Sequence, residues 1–553
     1  MDTFKKHIID FIKKEANVED AQLEVPPNPE LGDYAFPCFS LSKQFKKAPQ
    51  QIAKDIAEKF HPDSFIKEVK ATGPYINFFL NKEKLSEAVI ADVLEKKENY
   101  GNTHLGKGKH ILVEHTSINP NASPHVGRAR NALIGDAIVR LLKFQGYKTE
   151  VHYLVNDVGK QIALLVLGAQ GKDKVEFHDL LEVYIEINKK MEENPELEKD
   201  AFALLSKLEQ GDAEIKKQFH DIVKTCIDGQ SKILGELDIH YDSFDYESEY
   251  LWSGRTDEIL KLLEKTGKLF VDGHGRWVMD LKGYGLGMEV PVLVVTRADK
   301  TSLYGLRDIA YTIDKMKKGE NILVLGEDQK LYFEQVAAVM KELELPSPRV
   351  VHYSFVLLKD GKMSTRQGNV VLLEDFMTEI VKKASAEIER RYGKADEGAA
   401  KTIGYGALKY SILKVSPEKS VTFDVEQALS FEGDTGPYLQ YSYARISSIL
   451  KKNGDWLGEY DASLLKEKLE IELLKMLANY PSALEKATKD LHPHLVASYL
   501  YELSQKFNEF YHQHDILQEK EEIKNARIAL IVAVQHVLKS GLGLLGIGVL
   551  DRM

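Results

Sequence analysis

The chain has 553 residues and a formal net charge of −11, from 74 Lys and Arg against 85 Asp and Glu. At about 150 residues per domain this length predicts three or four units. A composition that is 43% hydrophobic and 29% charged excludes collagen-like, mucin-like and wholly disordered classes. The negative charge argues against a protein that coats nucleic acid through bulk charge. Two cysteines, Cys38 and Cys226, are too few for a disulfide framework or a four-cysteine zinc site, so we expect a reducing compartment.

The first residues predict a small α+β domain, over 1–108. Apolar residues recur with helical spacing around 4–15 and 49–60, and Tyr75–Leu80 has the pattern of a strand. The first helix lacks the apolar centre of a signal peptide. The most apolar stretch, 528–534, falls far short of the roughly 20 residues of a spanning helix, so we expect a cytoplasmic protein with no membrane segment.

A βαβ unit follows. An apolar strand at 111–116 leads through a Pro/Asn/Ser loop to a helix at about 124–144 and a second strand at 150–155. This order predicts a parallel sheet with a right-handed crossover.

Charged residues with helical periodicity at about 168–229 predict a helical insertion without chemistry of its own. We expect the sheet to resume after the insertion, so that residues 109–424 form one domain. The strand-like segments that support this lie at 290–295, 322–325 and 350–358. From 425 to 553 only helical patterns remain, which predicts an all-helical bundle.

The segment between the first strand and its helix has the residues of an anion site. Pro124 suits the first helical turn, so His125, Gly127 and Arg128 lie near free backbone N–H groups and the positive end of the helix dipole. Such a turn lies where open α/β sheets bind ligands, outside the carboxyl end of a strand. An ordinary capped helix start explains these residues equally well.

A second segment, at 360–369, contains two cations four residues apart, Lys362 and Arg366, with the hydroxyls of Ser364 and Thr365 between them. Glycines on both sides suit a flexible clamp on phosphates that lose charge to a leaving group. An exposed basic hairpin tip is the alternative. The chance occurrence of both segments in one chain is far less expected than that of either segment alone.

These segments resemble the two signatures of class I aminoacyl-tRNA synthetases, a His-x-Gly-His turn and a Lys-Met-Ser-Lys loop. Here Arg128 replaces the second histidine and Thr365 the second lysine, with Arg366 one place later. Other stretches are similar to the arginyl-tRNA synthetases in particular, and the resemblance covers nearly the whole chain. These stretches are Val155-Asn-Asp-Val-Gly-Lys-Gln-Ile162, Gly436-Pro-Tyr-Leu-Gln-Tyr441 and Leu544-Leu-Gly546.

The resemblance implies an α/β, Rossmann-like catalytic domain with a helical insertion. It is flanked by an N-terminal α+β domain that binds the tRNA elbow and a C-terminal all-α anticodon-binding bundle. The implied reaction activates L-arginine with ATP and transfers it to tRNA(Arg), and a monomer is the family default. Mg²⁺ would accompany ATP, and no dedicated carboxylate cage for a metal is visible. The ATP-binding residues implied are His125, Gly127, Arg128, Lys362, Met363, Ser364 and Arg366.

The amino-acid pocket needs carboxylates for a planar guanidinium. Tyr304 and Asp308 share a helix face if their segment is helical, although an ordinary helix pair fits that spacing too. By resemblance Glu114, Tyr304 and Asp308 bind the guanidinium, whereas Asn119 and Gln329 hold the amino end.

Two sets of residues are candidates for contact with tRNA. In the predicted strand, Ile76, Phe78 and Leu80 would face the core, and Tyr75 and Asn77 would be open to a base. A half-buried edge strand is the alternative. In the last unit, an anticodon pocket would use some of a larger set, other members of which belong to the core of the bundle. The set is Tyr438, Gln440, Tyr441, Arg445 and the cluster at 507–511.

Three other functions fit the same residues. They are a synthetase for another amino acid, a related nucleotidyl transferase that never meets tRNA, and a non-enzymatic RNA-binding scaffold. The non-enzymatic scaffold remains an alternative because Arg128 and Thr365 replace the usual histidine and lysine of the two signatures.

Overall fold

The computed structural model describes residues 2–19, 21–26, 28–172, 174–358, 371–454 and 458–553. The amino-terminal elements build an antiparallel sheet with strand order β1-β3-β2. These elements are α1 (Asp2–Ala16), β1 (Tyr34–Pro37), α2 (Ser42–Phe45), α3 (Pro49–Ala57), β2 (Ile66–Thr72), β3 (Tyr75–Leu80) and α4 (Lys82–Lys96).

Strand β3 is the centre of this sheet, so the edge-strand alternative is wrong. Ile76, Phe78 and Leu80 are buried, as predicted from the alternation. Asn77 is buried as well, at 3% exposure, because β1 and β2 pair on both sides of it and Gly32 packs against its Cβ. Asn77 is therefore not the open amide that the sequence predicted.

The middle of the chain contains a five-stranded sheet and the helices that cover it. Its first elements are β4 (His110–Glu114), α5 (Val126–Phe144), β5 (Lys148–Val155), α6 (Lys160–Ala169), α7 (Asp179–Glu193), α8 (Glu196–Glu209), α9 (Ala213–Glu236) and β6 (Ser243–Tyr246). The remaining ones are α10 (Glu249–Trp252), α11 (Arg255–Lys265), β7 (Leu269–Val271), β8 (Trp277–Asp280), β9 (Val292–Val294), α12 (Tyr304–Lys318), β10 (Glu320–Gly326), α13 (Lys330–Glu342), β11 (Arg349–Tyr353), β12 (Val356–Leu358), α14 (Leu373–Tyr392), α15 (Glu397–Leu413) and β13 (Val421–Phe423).

The sheet has the order β11-β10-β4-β5-β6, and its neighbouring strands pair in parallel. The predicted βαβ unit is β4-α5-β5. Because β4 is the middle strand, its carboxyl end lies between those of β5 and β10. Ligands of open parallel sheets bind at such an edge.

Two details of the predicted sheet are wrong. The segment at 290–295 contains β9, which belongs to a separate antiparallel sheet of order β7-β8-β9. The segment at 350–358 is two strands: β11 joins the parallel sheet, whereas β12 pairs with β13. The chain changes partner at Ser354, whose backbone N–H donates to Pro417 O at 2.9 Å. A short apolar run does not reveal which strand it will pair with.

The last part of the chain is helical, as predicted, with α16 (Val425–Ala428), α17 (Gly436–Asn453), α18 (Lys468–Asp490), α19 (His494–Gln513) and α20 (Glu521–Leu544). A buried ion pair joins α20 to α18, with Arg527 Nε 2.8 Å from Glu470 Oε1. Among the described residues, α20 alone is long and apolar enough to cross a membrane, but 72% of its apolar window is buried, as in a core helix.

A glycine lets α5 approach the end of β4. A Cβ on Gly135 would lie 2.2 Å from Cγ of the buried His115. We therefore expect Gly135→Ala to destabilise the protein by about 1–3 kcal/mol, the usual cost of overpacking. The urea midpoint and the melting temperature should both fall.

Gly543→Ala is the matched control, because Gly543 also lies in a helix but has open space around it. This change should be neutral or stabilise by up to about 1 kcal/mol. Equal stability of the two variants would contradict the close packing of α5 on β4.

Candidate functional site

The backbone after β4 is held in an unusual conformation at the edge of the sheet. Thr116 and Ser117 have φ of 74° and 41°, in the left-handed region that non-glycine residues avoid. The Thr116 N–H donates to Asn131 Oδ1 at 2.6 Å, and Asn131 Nδ2 donates to Val324 O at 2.8 Å. The Tyr241 hydroxyl also donates to Thr116 Oγ1. One amide on α5 thus fixes the ends of β4 and β10 relative to each other.

The predicted anion site lies at the start of α5. His125 immediately precedes the helix, and its buried Nδ1 has no hydrogen-bond partner among the described residues. Burial, assisted by the charge of Arg128, lowers the pKa of His125 to about 4. His125 is therefore neutral at physiological pH and offers a hydrogen bond, whereas Arg128 is exposed and permanently charged. Gly127 lies between them in the first turn.

A cavity of about 350 Å³ opens at the carboxyl edge of the sheet. It brings together residues from β4, the loop after it, α5, α12 and the segment that follows β10. The predicted residues that line it are Glu114, Asn119, Arg128, Tyr304, Asp308 and Gln329. All five residues assigned to the amino-acid pocket thus share one cavity with Arg128.

Asp308, which is half-buried in this cavity, has no cationic partner among its described hydrogen bonds. Its carboxyl accepts a hydrogen bond from the Tyr332 hydroxyl. Burial, together with the charge of Glu247, raises the pKa of Asp308 to about 7. Glu247 itself is paired: its Oε1 accepts from Arg307 Nε at 2.6 Å, and both side chains are buried.

Glu114, at the end of β4, forms a buried ion pair with Lys315 of α12. The Lys315 ammonium also lies 4.2 Å from the ring centroid of Tyr311. The sequence reasoning missed both of these α12 residues. The signal was available: positions 304, 308, 311 and 315 continue the three- and four-residue spacing of one helix face.

Two amide side chains, Asn119 and Gln329, also line the pocket. Asn119 Nδ2 donates to Gln161 Oε1 at 3.1 Å, and Gln161 is a second residue that the sequence reasoning missed. Gln329 is exposed just before α13, with Nε2 3.3 Å from Asp328 Oδ2. Tyr304 is 55% exposed, and its ring lies 5.1 Å from that of Tyr332.

The remaining candidates for the nucleotide site are not described by the structure. Lys362, Met363, Ser364 and Arg366 lie outside the described residues. Among the described residues, no group of three or more His, Cys, Asp or Glu side chains is arranged to hold a metal ion.

The candidate tRNA contacts are divided between surface and core. Tyr75 is half-buried, with its ring 5.7 Å from that of the exposed Phe39. Gln440 is fully buried, and its Nε2 donates to Thr402 O and Gly548 O. The predicted contact of Gln440 with tRNA is therefore wrong, because this side chain is not exposed.

Arg445 is partly exposed beside aromatic rings. Its guanidinium carbon is 4.8 Å from the ring centroid of Tyr441 and 4.9 Å from that of Tyr511. Asn508 bonds to both Arg445 and the Tyr438 hydroxyl. In the cluster at 507–511, Phe507, Asn508 and Phe510 are buried, and Tyr511 is exposed.

Three family models match the chain. Residues 89–424 match the class I (R) tRNA synthetase catalytic domain, 439–553 the DALR anticodon binding domain, and 2–80 the arginyl tRNA synthetase N terminal domain. The first of these covers more than half of the chain.

Relatives match over the full length. An arginine–tRNA ligase of Methanocaldococcus jannaschii is 38% identical, over 99% of this chain and 100% of its own, and one of Halothermothrix orenii is 35% identical over 100% of both. The solved arginyl-tRNA synthetase of Thermus thermophilus superposes with a TM-score of 0.83 at 28% identity, over 99% of this chain and 100% of that one.

The raised pKa of Asp308 predicts a gain in stability on neutralisation. The folded protein holds this proton up to about pH 7, whereas an unfolded Asp loses it near pH 4. The stability that the protonated group contributes is therefore present below about pH 4 and lost as the pH rises through about 7. Asp308→Asn should be more stable than the parent at pH 8, by up to about 4 kcal/mol at about 1.4 kcal/mol per pKa unit.

Urea unfolding at pH 5.5 and pH 8 measures this difference, which should shrink at the lower pH. Asp272→Asn is the control, because hydrogen bonds from Arg276 lower the pKa of Asp272 to about 2. That variant should show no gain at pH 8. A pH-independent effect of Asp308→Asn would contradict the raised pKa of this carboxyl.

Proposed function

Because the chain belongs to the arginyl-tRNA synthetase family, we propose that it is an arginine–tRNA ligase. It activates L-arginine with ATP and transfers the arginyl group to the 3′-terminal ribose of tRNA(Arg), with release of AMP and pyrophosphate. The observation that carries the proposal is the meeting of two carboxylates, the buried Glu114 and the half-buried Asp308, in a cavity beside the start of α5.

Asp308 supplies the charge that a guanidinium requires. The planar guanidinium donates two parallel hydrogen bonds to a carboxylate, which makes such pairs strong and directional. Glu114 approaches from β4, so one guanidinium can contact both acidic groups. Tyr304 stands at the mouth of the cavity, where its exposed ring covers the aliphatic part of the substrate. Asn119 and Gln329 bind the α-amino end.

The nucleotide lies across the start of α5. Neutral His125 donates a hydrogen bond, Gly127 allows close approach, and Arg128 adds fixed charge. The predicted loop residues Lys362, Met363, Ser364 and Arg366 complete this set. Mg²⁺ accompanies ATP as the counter-ion of the departing pyrophosphate.

The chemistry needs no covalent enzyme intermediate. A carboxylate oxygen of arginine bonds to the α-phosphorus while the bond from that phosphorus to the bridging oxygen breaks, and pyrophosphate leaves. A ribose hydroxyl of tRNA then bonds to the carbonyl carbon, AMP leaves and the hydroxyl proton passes to solvent. The protein contributes positioning and charge neutralisation.

The tRNA contacts extend over three units. We assign residues 1–108 to the tRNA elbow, 109–424, with the insertion at 168–229, to catalysis and 425–553 to the anticodon. The matched family models support this division. Tyr75 serves the first unit. Tyr438, Tyr441 and Arg445 serve the last. The protein works as a cytoplasmic monomer without a membrane.

Charging of tRNA with each of the standard amino acids, in the presence of ATP and Mg²⁺, tests the function. Arginine alone should be attached. Charging with another amino acid instead would overturn the assignment. Pyrophosphate exchange, run with and without tRNA, separates the steps: exchange that never requires tRNA and yields no charged product would identify a nucleotidyl transferase. No exchange under any condition would identify a scaffold.

Loss of the Asp308 charge should weaken arginine binding. Asp308→Asn should raise the KM for arginine by about 30-fold or more, since truncating one partner of a buried charge pair costs at least about 2 kcal/mol. Asp314→Asn is the control: Asp314 is on the same helix but pairs with Arg255. Equal KM values for the two variants would contradict the pocket.

The same carboxyl sets a pH dependence with a definite sign. Arginine stays cationic, so the ionised form of Asp308 is the one that binds it. The KM for arginine should therefore fall as the pH rises from 6 to 8 and level off above the pKa of about 7. His125, with a pKa of about 4, does not titrate in this window. Asp308→Asn should abolish the dependence.

Arg128 and Arg366 are expected to contact the nucleotide. Arg128→Ala and Arg366→Ala should each reduce pyrophosphate exchange by about 10- to 1000-fold, the range for loss of one preorganised charge at a reacting centre. Arg297→Ala, at an exposed arginine paired with Glu209, serves as the control. Unchanged exchange in either test variant would remove that residue from the nucleotide site.

A further inference from the structure

A lysine is buried beside the amino-acid pocket. Lys315 is 3% exposed, pairs with Glu114 and lines the same cavity as Asp308. A buried charge is costly unless it is paired, so its presence here needs a reason. The reaction proposed above gives this residue no role, and the inference below rests on that proposed function.

The described charged side chains around the cavity sum to a net charge of −1. Lys315 balances Glu114, and Arg307 balances Glu247. At the mouth, the exposed Arg128 and Asp328 are opposite in sign. The charge left over is that of Asp308, so the pocket presents one uncompensated negative charge. A guanidinium substrate brings one positive charge.

We propose that Lys315 is a specificity-determining residue: its ammonium holds Glu114 so that the pocket has a single free negative charge and favours a guanidinium over a second ammonium. With Lys315 in place, the ammonium of a bound lysine finds Glu114 already paired with an ammonium, and Asp308 remains as its one partner. A guanidinium has five donors in a fixed plane, so it fills the two forked positions of Asp308 and still reaches Glu114 with another N–H.

Neighbouring groups hold Lys315 in place. The Tyr311 ring lies under its ammonium, and the Tyr311 hydroxyl donates to Asp245 Oδ2 at 2.6 Å. Asp245 is fixed in turn by His152 Nδ1 at 2.6 Å and by the Ser243 hydroxyl. Burial opposes it, but these hydrogen bonds hold the pKa of Asp245 below its usual range. The anionic Asp245 thus stabilises the tyrosine that faces Lys315.

The first test measures discrimination. In Lys315→Met the freed Glu114 accepts the ammonium of lysine, so the ratio of the inhibition constant of lysine to the KM of arginine should fall about tenfold or more, because a new buried charge pair forms. Lys317→Met is the matched control, on the same helix but exposed and paired with Asp314. It should leave the ratio unchanged. An unchanged ratio in Lys315→Met, with the fold intact, overturns the proposal.

The second test uses the charge count and does not require Lys315→Met to fold. Glu114→Gln leaves Lys315 unbalanced and the pocket with no net charge, so the KM for arginine should rise strongly. Adding Lys315→Met removes the surplus cation and restores the single negative charge. The double variant should therefore have a KM for arginine about tenfold or more below that of Glu114→Gln. A purely structural lysine predicts an equal or higher KM in the double variant, and that result overturns the proposal.

If the parent protein does not charge tRNA with arginine, the proposed function is wrong. If the parent protein charges tRNA and either test on Lys315 gives the contrary result, only the role of Lys315 is wrong. Melting temperatures of all variants show which of them are folded.

Discussion

Acidic side chains that end in the interior of the protein must be balanced there. Strand β4 is the central strand of the sheet, so Glu114 at its end is shielded by its neighbours on both sides. An isolated ionised carboxylate in such a place is strongly disfavoured. The arrangement of α12, which brings Lys315 to Glu114 and Arg307 to the buried Glu247, follows from this requirement.

Asp308, unlike Glu114 and Glu247, has no cationic side chain paired with it among the residues that the structure describes. This unpaired carboxyl is the group that suits the pocket to a cationic substrate. A carboxyl with a pKa near neutrality is only partly ionised in the empty site at neutral pH, and a permanently charged guanidinium that binds there favours the ionised form. The site thereby carries a local cost to stability in the empty state that substrate binding removes. Glu114 and Asp308 lie on regular elements, a strand and a helix, and the hydrogen bonds of Asn131 hold the end of β4 against β10.

The sequence was informative where a pattern has one physical meaning. Alternation and helical spacing predicted β4, α5, β5 and β10, and the pair at 304 and 308 lies on one face of α12 as expected. The pattern does not determine which strands pair with each other: the apolar sequence of β9 fits a parallel or an antiparallel sheet equally well. Polar residues were the second difficulty, because Asn77 and Gln440 are buried by neighbours distant in sequence. Lys315 was overlooked for a related reason, since a lysine in the last turn of a helix is typical of an exposed cation near the negative helix end.

The net charge of −11 illustrates the difference between a total and a local quantity. Interactions between exposed charges are screened beyond about 8 Å at physiological ionic strength, so distant acids do not decide whether a surface binds a polyanion. We propose that Arg445, whose guanidinium lies beside the rings of Tyr441 and Tyr511, is a contact of this local kind, since such a group can bind an unpaired base by stacking as well as by charge. Contacts of this kind release few counter-ions, which gives an affinity for RNA that depends less on salt than that of a basic coat. An acidic protein can therefore bind tRNA through a few placed cations and release it again, because its total charge opposes any wider attachment.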